Sequence, residues 1–203
     1  PLHGSSAASD VYKRQIEVAR TKAKVVNQHN LKRRELDQCI TEEALQMIVS
    51  DANSTVVFHP DWHKGVVGIV ASRLIQSYYR PTIVLTENNG LLVGSARSVK
   101  GFDVYDAIYA CSEYVEQFGG HKYAAGLTLK KENLEAFTAK FESVVSETIQ
   151  EEMLIPQINI DAVLNLSDID NKLYRILRQM APFGPGNMPP ISVSYTHLRA
   201  HET

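Results

Sequence analysis

Apolar positions recur at threes and fours through the first quarter of the chain. Val18, Val25, Val26, Leu31, Leu36, Ile40, Ala44, Leu45 and Ile48, between about Ile16 and Ala52, predict a long helix or two joined end to end, with HNLKRRELDQ as a polar interruption. TVVFH (55–59) then predicts a short buried strand, PDWHKG (60–65) a turn, and VVGIVASRLIQSYY (66–79) an apolar helix. Arg80-Pro81 breaks that helix before the strand TIVLT (82–86), and ENNG (87–90) is a hairpin signal ahead of LLVGSAR (91–97). Asp103 is placed to cap a helix over VYDAIYACSEYVEQF (104–118) that stops at Gly119 and Gly120. AAGLTLK (124–130) is strand-like, and Asn133 to about Glu151 has helical periodicity. Pro156 marks a change of character. INIDAVLNL (158–166) alternates as a strand does, a helix from Ser167 to about Met180 follows, and APFGPGNMPP (181–190) is an extended, rigid loop.

Helices alternating with strands at close spacing favour a sheet flanked by helices. The pattern divides the chain into a helical connector over 16–53, a mixed α/β domain over 54–150 and the beginning of a further domain over 151–191. The ends, 1–15 and 192–203, lack such a pattern and resemble translated adaptor sequence or disordered tails. Their histidines, His3, His197 and His201, carry no functional weight, and the chain is expected to be an internal piece of a longer protein.

With 203 residues, 44% of them hydrophobic and 22% charged, the chain can bury one ordinary core and part of a second. A net charge of -2 excludes a global positive field, so an anionic partner must be met by local groups. The two cysteines, Cys39 and Cys111, lie inside apolar patterns without companions at metal spacing, and are expected as core thiols of a reducing compartment. With no membrane-length apolar run and no signal-peptide pattern, the expected location is cytoplasmic.

Two runs offer anion-binding chemistry. GSARS (94–98) closes a strand with Ser95, Arg97 and Ser98, and a guanidinium fork can give a phosphate two parallel hydrogen bonds. FGGHKYAAG (118–126) combines Gly119 and Gly120, which admit close backbone approach, with the donor His121. Spacing alone leaves a solvated turn open for the first run and a helix C-cap open for the second. His59, Asp61 and His63 suggest metal ligands, but Pro60 breaks their alternation and no fourth ligand lies near. Asp168 and Asp170 fit helix capping. The sequence has no Walker loop, nucleophile elbow or Cys-x-x-Cys.

DWHKGVVGIVASRLIQSYYRPTIVL, GSARSVKGFDVYDAI, FGGHKYAAGLTL and MAPFGPGNMPP resemble, in order and spacing, the RecJ family of single-stranded-DNA-specific exonucleases, across about residues 16–191. The Gly-Gly-His element is shared across the DHH phosphoesterase superfamily and with alanyl-tRNA synthetases; the WHKGVVGIVASRL and PFGPGN runs are more specific to RecJ. The resemblance implies an α/β DHH-associated domain behind a connector helix and before the start of an OB fold. It implies a parent enzyme that degrades single-stranded DNA from a 5′ end in repair and recombination. The Mn or Mg ions would sit in a DHH domain absent here, leaving this piece without a metal and inactive alone. By the same resemblance Ser95, Arg97 and Ser98 meet the 5′ phosphate, Gly119 and Gly120 lie beside the strand, His121 faces the metals as a catalytic residue, and Arg33 is a basic substrate contact on the connector. Trp62 reads as packing. Alternatives are another DHH phosphodiesterase acting on short oligonucleotides or cyclic dinucleotides, and a nucleic-acid-binding module of the alanyl-tRNA synthetase type. The PFGPGN and WHKGVVGIVASRL runs argue against them.

Overall fold

The computed structural model describes residues 4–157, 160, 162–184 and 186–191. It divides into two compact units, 1–156 and 157–203. The first holds helix α1 (Gly4–Gln46), strand β1 (Thr55–Phe58), helix α2 (Val67–Ser77), strands β2 (Thr82–Asn88) and β3 (Leu91–Arg97), helix α3 (Val104–Tyr109), strands β4 (Gln117–His121) and β5 (Ala124–Leu129), and helix α4 (Leu134–Thr148). The strands form one sheet in the order β1-β2-β3-β5-β4. Only the β1/β2 pair is parallel, as its crossover helix α2 requires; the other three pairs are antiparallel.

Local chemistry accounts for several of these elements. Asn89 and Gly90, at φ 53° and 79°, make the two-residue turn that joins β2 to β3 with the twist a hairpin needs. The Asp103 carboxylate accepts from the amides of Tyr105 and Asp106, capping α3 as its position predicts. One helix runs through the polar interruption in α1, most of which is exposed surface, with Asp37 buried among it. That helix begins at Gly4, so residues 4–15, which carry no apolar periodicity, continue it; once a helix is nucleated, extending it needs only one bond per residue.

A predicted helix over 104–118 is not what forms. α3 stops at Tyr109, a 3-10 turn covers Ser112–Tyr114, and Gln117–His121 becomes β4. Phe118 packs against the core beneath Tyr105 and Tyr109, with ring centroids 5.4 and 6.3 Å away. Its three-residue spacing from Val115 suits a helix, and pairing with β5 overrides that in favour of the strand.

One face of the sheet carries Ile83, Leu85, Leu92, Ala96, Ala125, Leu127 and Leu129, packed under Ile108 of α3 and under Phe137, Phe141 and Val145 of α4. On the opposite face Val57 and Val84 are covered by Val67, Val70, Ala71 and Leu74 of α2 and by Ile40 and Ala44 of α1. Trp62 is buried in this second cluster and donates its indole N–H to Glu43 at 2.8 Å, the packing role its position suggested. Asp37, fully buried on α1, holds the two helices together. Its Oδ2 accepts from Arg33 at 3.0 Å, and its Oδ1 lies 2.6 Å from Arg73 of α2, an ion-pair contact whose angle falls short of a hydrogen bond. Glu142 of α4 accepts from the amides of Asn53 and Ser54 at 2.8 and 2.9 Å and from the Ser54 hydroxyl, fixing α4 to the start of β1. Of the two expected core thiols, Cys111 is buried, and burial pushes it up to about 11. Cys39 instead is exposed on α1, its thiol contacting Glu43 at 3.6 Å, because it faces away from the Ile40–Ala44 stripe.

In the second unit a 3-10 turn over Leu166–Asp168 precedes helix α5 (Asn171–Gln179), capped by Asp170, which accepts from the Leu173 amide at 2.7 Å. Asn187 pins the following loop through its side-chain amide to the carbonyls of Met180 and Pro182. The strand expected over 158–166 is not seen at 160 or 162–165; residues 158, 159 and 161 lie outside the described residues. So do 192–203.

Candidate nucleic-acid interface

The register places the two candidate runs side by side. Ser95 of β3 is opposite Gly126 of β5, which is opposite Gly119 of β4; Arg97 is opposite Ala124, which is opposite His121. Directly opposed residues share a face, so Ser95, Arg97, Gly119 and His121 all lie on the side that carries Val57 and Val84. α2 covers that side over β2 and β3. Beyond it Gly119, Gly126 and His121 are exposed, and Ser95 and Arg97 are half-buried at the edge of the cover. With neighbouring strands about 4.8 Å apart, His121 stands roughly 10 Å across this floor from Arg97. The tip of the β4/β5 hairpin is held down by the Ser98 amide on the Tyr123 carbonyl and the Val104 amide on the Lys122 carbonyl, both at 3.0 Å.

Arg80, buried, and Arg97, half-buried, differ in what surrounds them. Arg80 donates to Thr55 Oγ1 and to the carbonyls of Val49, Ser50 and Ala52, so its fork is occupied in tying down the loop before β1. Arg97 donates only through Nη1, to Ser95 Oγ at 2.6 Å and the Ala96 carbonyl at 2.8 Å. Among the described residues no carboxylate pairs with it, and Nε and Nη2 have no acceptor. Burial pushes its guanidinium below the usual range, the penalty for a charge removed from water without a counterion. Because Ser95 Oγ accepts from Arg97, its own hydroxyl proton remains available to donate.

The paired glycines are not equivalent. Gly120 has φ +151°, and a Cβ there would run into the Ala124 carbonyl and lie 2.5 Å from Ala125 Cα, so the fold itself demands glycine. A Cβ on Gly119 would meet nothing within 4 Å. Gly119 and the exposed Gly126 beside it make a floor without side chains, open to a ligand backbone. His121 Nδ1 accepts from the Tyr123 amide at 3.2 Å, which leaves the proton of the neutral ring on Nε2, facing outward as a donor. Tyr123, half-exposed, has the Lys122 amine 6.0 Å from its ring centroid.

Other predicted residues have local duties. The Ser98 hydroxyl donates to the Phe102 carbonyl at 2.9 Å. Arg33 is engaged by Asn30 and Asp37 on α1, and no hydrogen bond or ion pair among the described residues joins it to the sheet floor. His59 and His63 each accept a local amide on Nδ1, from Asp61 at 3.3 Å and Gly65 at 3.0 Å. Among the described residues no three His, Cys, Asp or Glu side chains converge as a metal site would require. The sequence reading missed Gly126 and Gly68, whose places on the floor and beside Arg97 follow from pairing and packing rather than from any local motif.

A DHHA1 domain model matches residues 45–147 and a RecJ OB domain model residues 160–200. The chain is 36% identical over 170 residues to the single-stranded-DNA-specific exonuclease RecJ of Bacillus subtilis, covering 81% of this chain and 22% of that protein. To the Salmonella typhimurium RecJ it is 32% identical over 178 residues, covering 82% and 31%. It therefore spans about a fifth to a third of the length of these relatives. Among solved structures, RecJ from Thermus thermophilus in complex with Mg2+ superposes with a TM-score of 0.71 at 26% identity, over 79% of this chain and 25% of that one. The same protein in complex with Mn2+ superposes equally well.

Proposed function

The chain belongs to the RecJ family, through a DHHA1 domain followed by the RecJ OB domain. From that premise we propose that the open side of its sheet receives the 5′ end of a single DNA strand for an exonuclease that works in the 5′-to-3′ direction in DNA repair and recombination. The observation that carries this reading is Arg97, a half-buried guanidinium with no carboxylate and half its fork unoccupied. A terminal phosphate supplies the missing charge and acceptors: Arg97 Nη2 and Nε donate to its oxygens, and the Ser95 hydroxyl adds a third bond. From there the strand runs over Gly119 and Gly126, where the lack of side chains lets its sugar-phosphate backbone approach the sheet. His121, across the floor, offers Nε2–H to a phosphate oxygen further along. That donor is suited to stabilise charge as a phosphodiester bond breaks.

Hydrolysis in such enzymes is metal-assisted, and Mg2+ and Mn2+ are bound in the Thermus RecJ structures. The described residues of this chain bring together no ligand set for such an ion, so no step is assigned to a metal here. Recognition and positioning are the part proposed for it, in a cytoplasmic setting, with single-stranded DNA as partner. Arg33 also supports this reading through Asp37, which holds α1 on α2.

Titration of the chain with 5′-phosphorylated and 5′-hydroxyl oligothymidylates tests the proposal. The wild-type chain prefers the phosphorylated end, and Arg97→Ala removes the preference, a loss of about 1.5–3 kcal/mol for one charge-assisted bond. Equal affinity of the wild-type chain for both ends defeats the reading.

A further inference from the structure

Gly68 is the second residue of α2, and it abuts the anion-binding pair rather than the apolar core. A Cβ built on it would stand 2.8 Å from Arg97 Nη2 and 3.2 Å from Ser95 Oγ. The first is closer than real Cβ atoms come, and the second is tighter than nearly all real Cβ contacts. The atoms in the way belong to side chains, one of them the far end of a flexible arginine, so a methyl group at 68 can be admitted by moving the fork and not the backbone. Nothing in the backbone asks for glycine at this place: Gly68 has no positive φ, and its carbonyl accepts from the Ser72 hydroxyl at 3.0 Å like that of any helical residue. Glycine inside a helix is in fact unfavourable relative to alanine.

Local stability therefore favours alanine at 68, and only the seat of the Arg97 fork favours glycine. We propose that Gly68 is a positioning residue: its missing side chain seats the Arg97 guanidinium against the first turn of α2, in hydrogen-bonding reach of Ser95, where the two donors act on one phosphate. The inference rests on the reading of Arg97 as the clamp for a 5′ phosphate. It extends the site from the sheet to the helix that covers half of it, and gives the VVGIVASRL run a part in recognition beyond its apolar packing.

The structural and functional effects of Gly68→Ala are expected to go in opposite directions. The melting temperature of the variant chain stays level or rises by a few degrees, as helix propensity dictates. Its preference for 5′-phosphorylated over 5′-hydroxyl oligothymidylate falls about tenfold, the size of one displaced charge-assisted bond. Because the glycine acts through Arg97, the Gly68→Ala, Arg97→Ala double variant shows no further loss beyond Arg97→Ala alone. Preference abolished by Arg97→Ala but intact in Gly68→Ala overturns this inference and leaves the proposed function standing. So does a melting temperature several degrees lower in Gly68→Ala, which makes the glycine a packing requirement, or an additive loss in the double variant. A wild-type chain that does not distinguish the two ends overturns the proposed function, and this inference with it.

Discussion

At the scale of single residues, the same side-chain type takes different parts according to what it can reach. Arg80 is consumed by backbone carbonyls, Arg33 by a buried carboxylate, and Arg97 is left with donors to offer. Glu43 gives a residue-scale prediction, because its carboxylate accepts from the indole of Trp62, the only tryptophan in the chain. That bond lowers its pKa from the ordinary 4.5. A depressed carboxylate contributes stability that is present above its unfolded value and lost as pH falls through the folded one. Trp62 emission is therefore expected to change with an acid midpoint below 4.5, and Glu43→Gln to remove that transition. A midpoint at or above the ordinary value, or one unchanged in the variant, contradicts the assignment.

At the scale of elements, β3, β5 and β4 carry two sorts of glycine, and substitution separates them. Gly94 of β3 faces the core, where a Cβ would stand 2.5 Å from the Val84 carbonyl oxygen and from Leu85 Cδ2. Gly94→Ala is expected to cost about 2 kcal/mol, because backbone of the neighbouring strand has to move. Gly119→Ala meets empty space, so its melting temperature stays close to that of the unaltered chain while oligonucleotide affinity falls, the floor having gained a side chain. Thermal denaturation with binding titration checks both; a stable Gly94→Ala or an unaltered affinity in Gly119→Ala contradicts the account of that position. The motif GSARS displays Gly94 and Ser95 together, but only the alternation of the strand sends one to the core and the other to the open face.

At the scale of the whole molecule, the division at 156/157 agrees with the family models, which end and begin at 147 and 160. The first unit owes its integrity to long-range ties: Glu142 bonds residues 53 and 54 across the domain, and α1 is held by Asp37 between arginines of two helices. Limited proteolysis is expected to cut first between about residues 150 and 165 and to leave 55–148 intact. Early cleavage within 55–148 contradicts that domain boundary. With a net charge of -2 no overall field draws in an anion, so any phosphate the chain binds must be met by local groups.

The sequence by itself determined the order of nearly all the elements and the broad class of fold, because these follow from signals a few residues long: the Asn89-Gly90 turn, the Asp103 and Asp170 caps, and the apolar periods of α2 and α4. It also displayed Ser95, Arg97 and His121 as candidate donors. Tertiary structure decided that Gly119, Gly120 and His121 form an edge strand instead of the end of a helix, since pairing with β5 outweighs a helical apolar spacing. It decided too that Gly120 serves the chain while Gly119 serves the open floor, that Cys39 lies outside the core, and that Gly68 stands against Arg97 across 29 positions of sequence. Those outcomes depend on burial and on partners distant along the chain. A local pattern fixes which groups a segment can offer, and only packing fixes which of those groups are left without a partner.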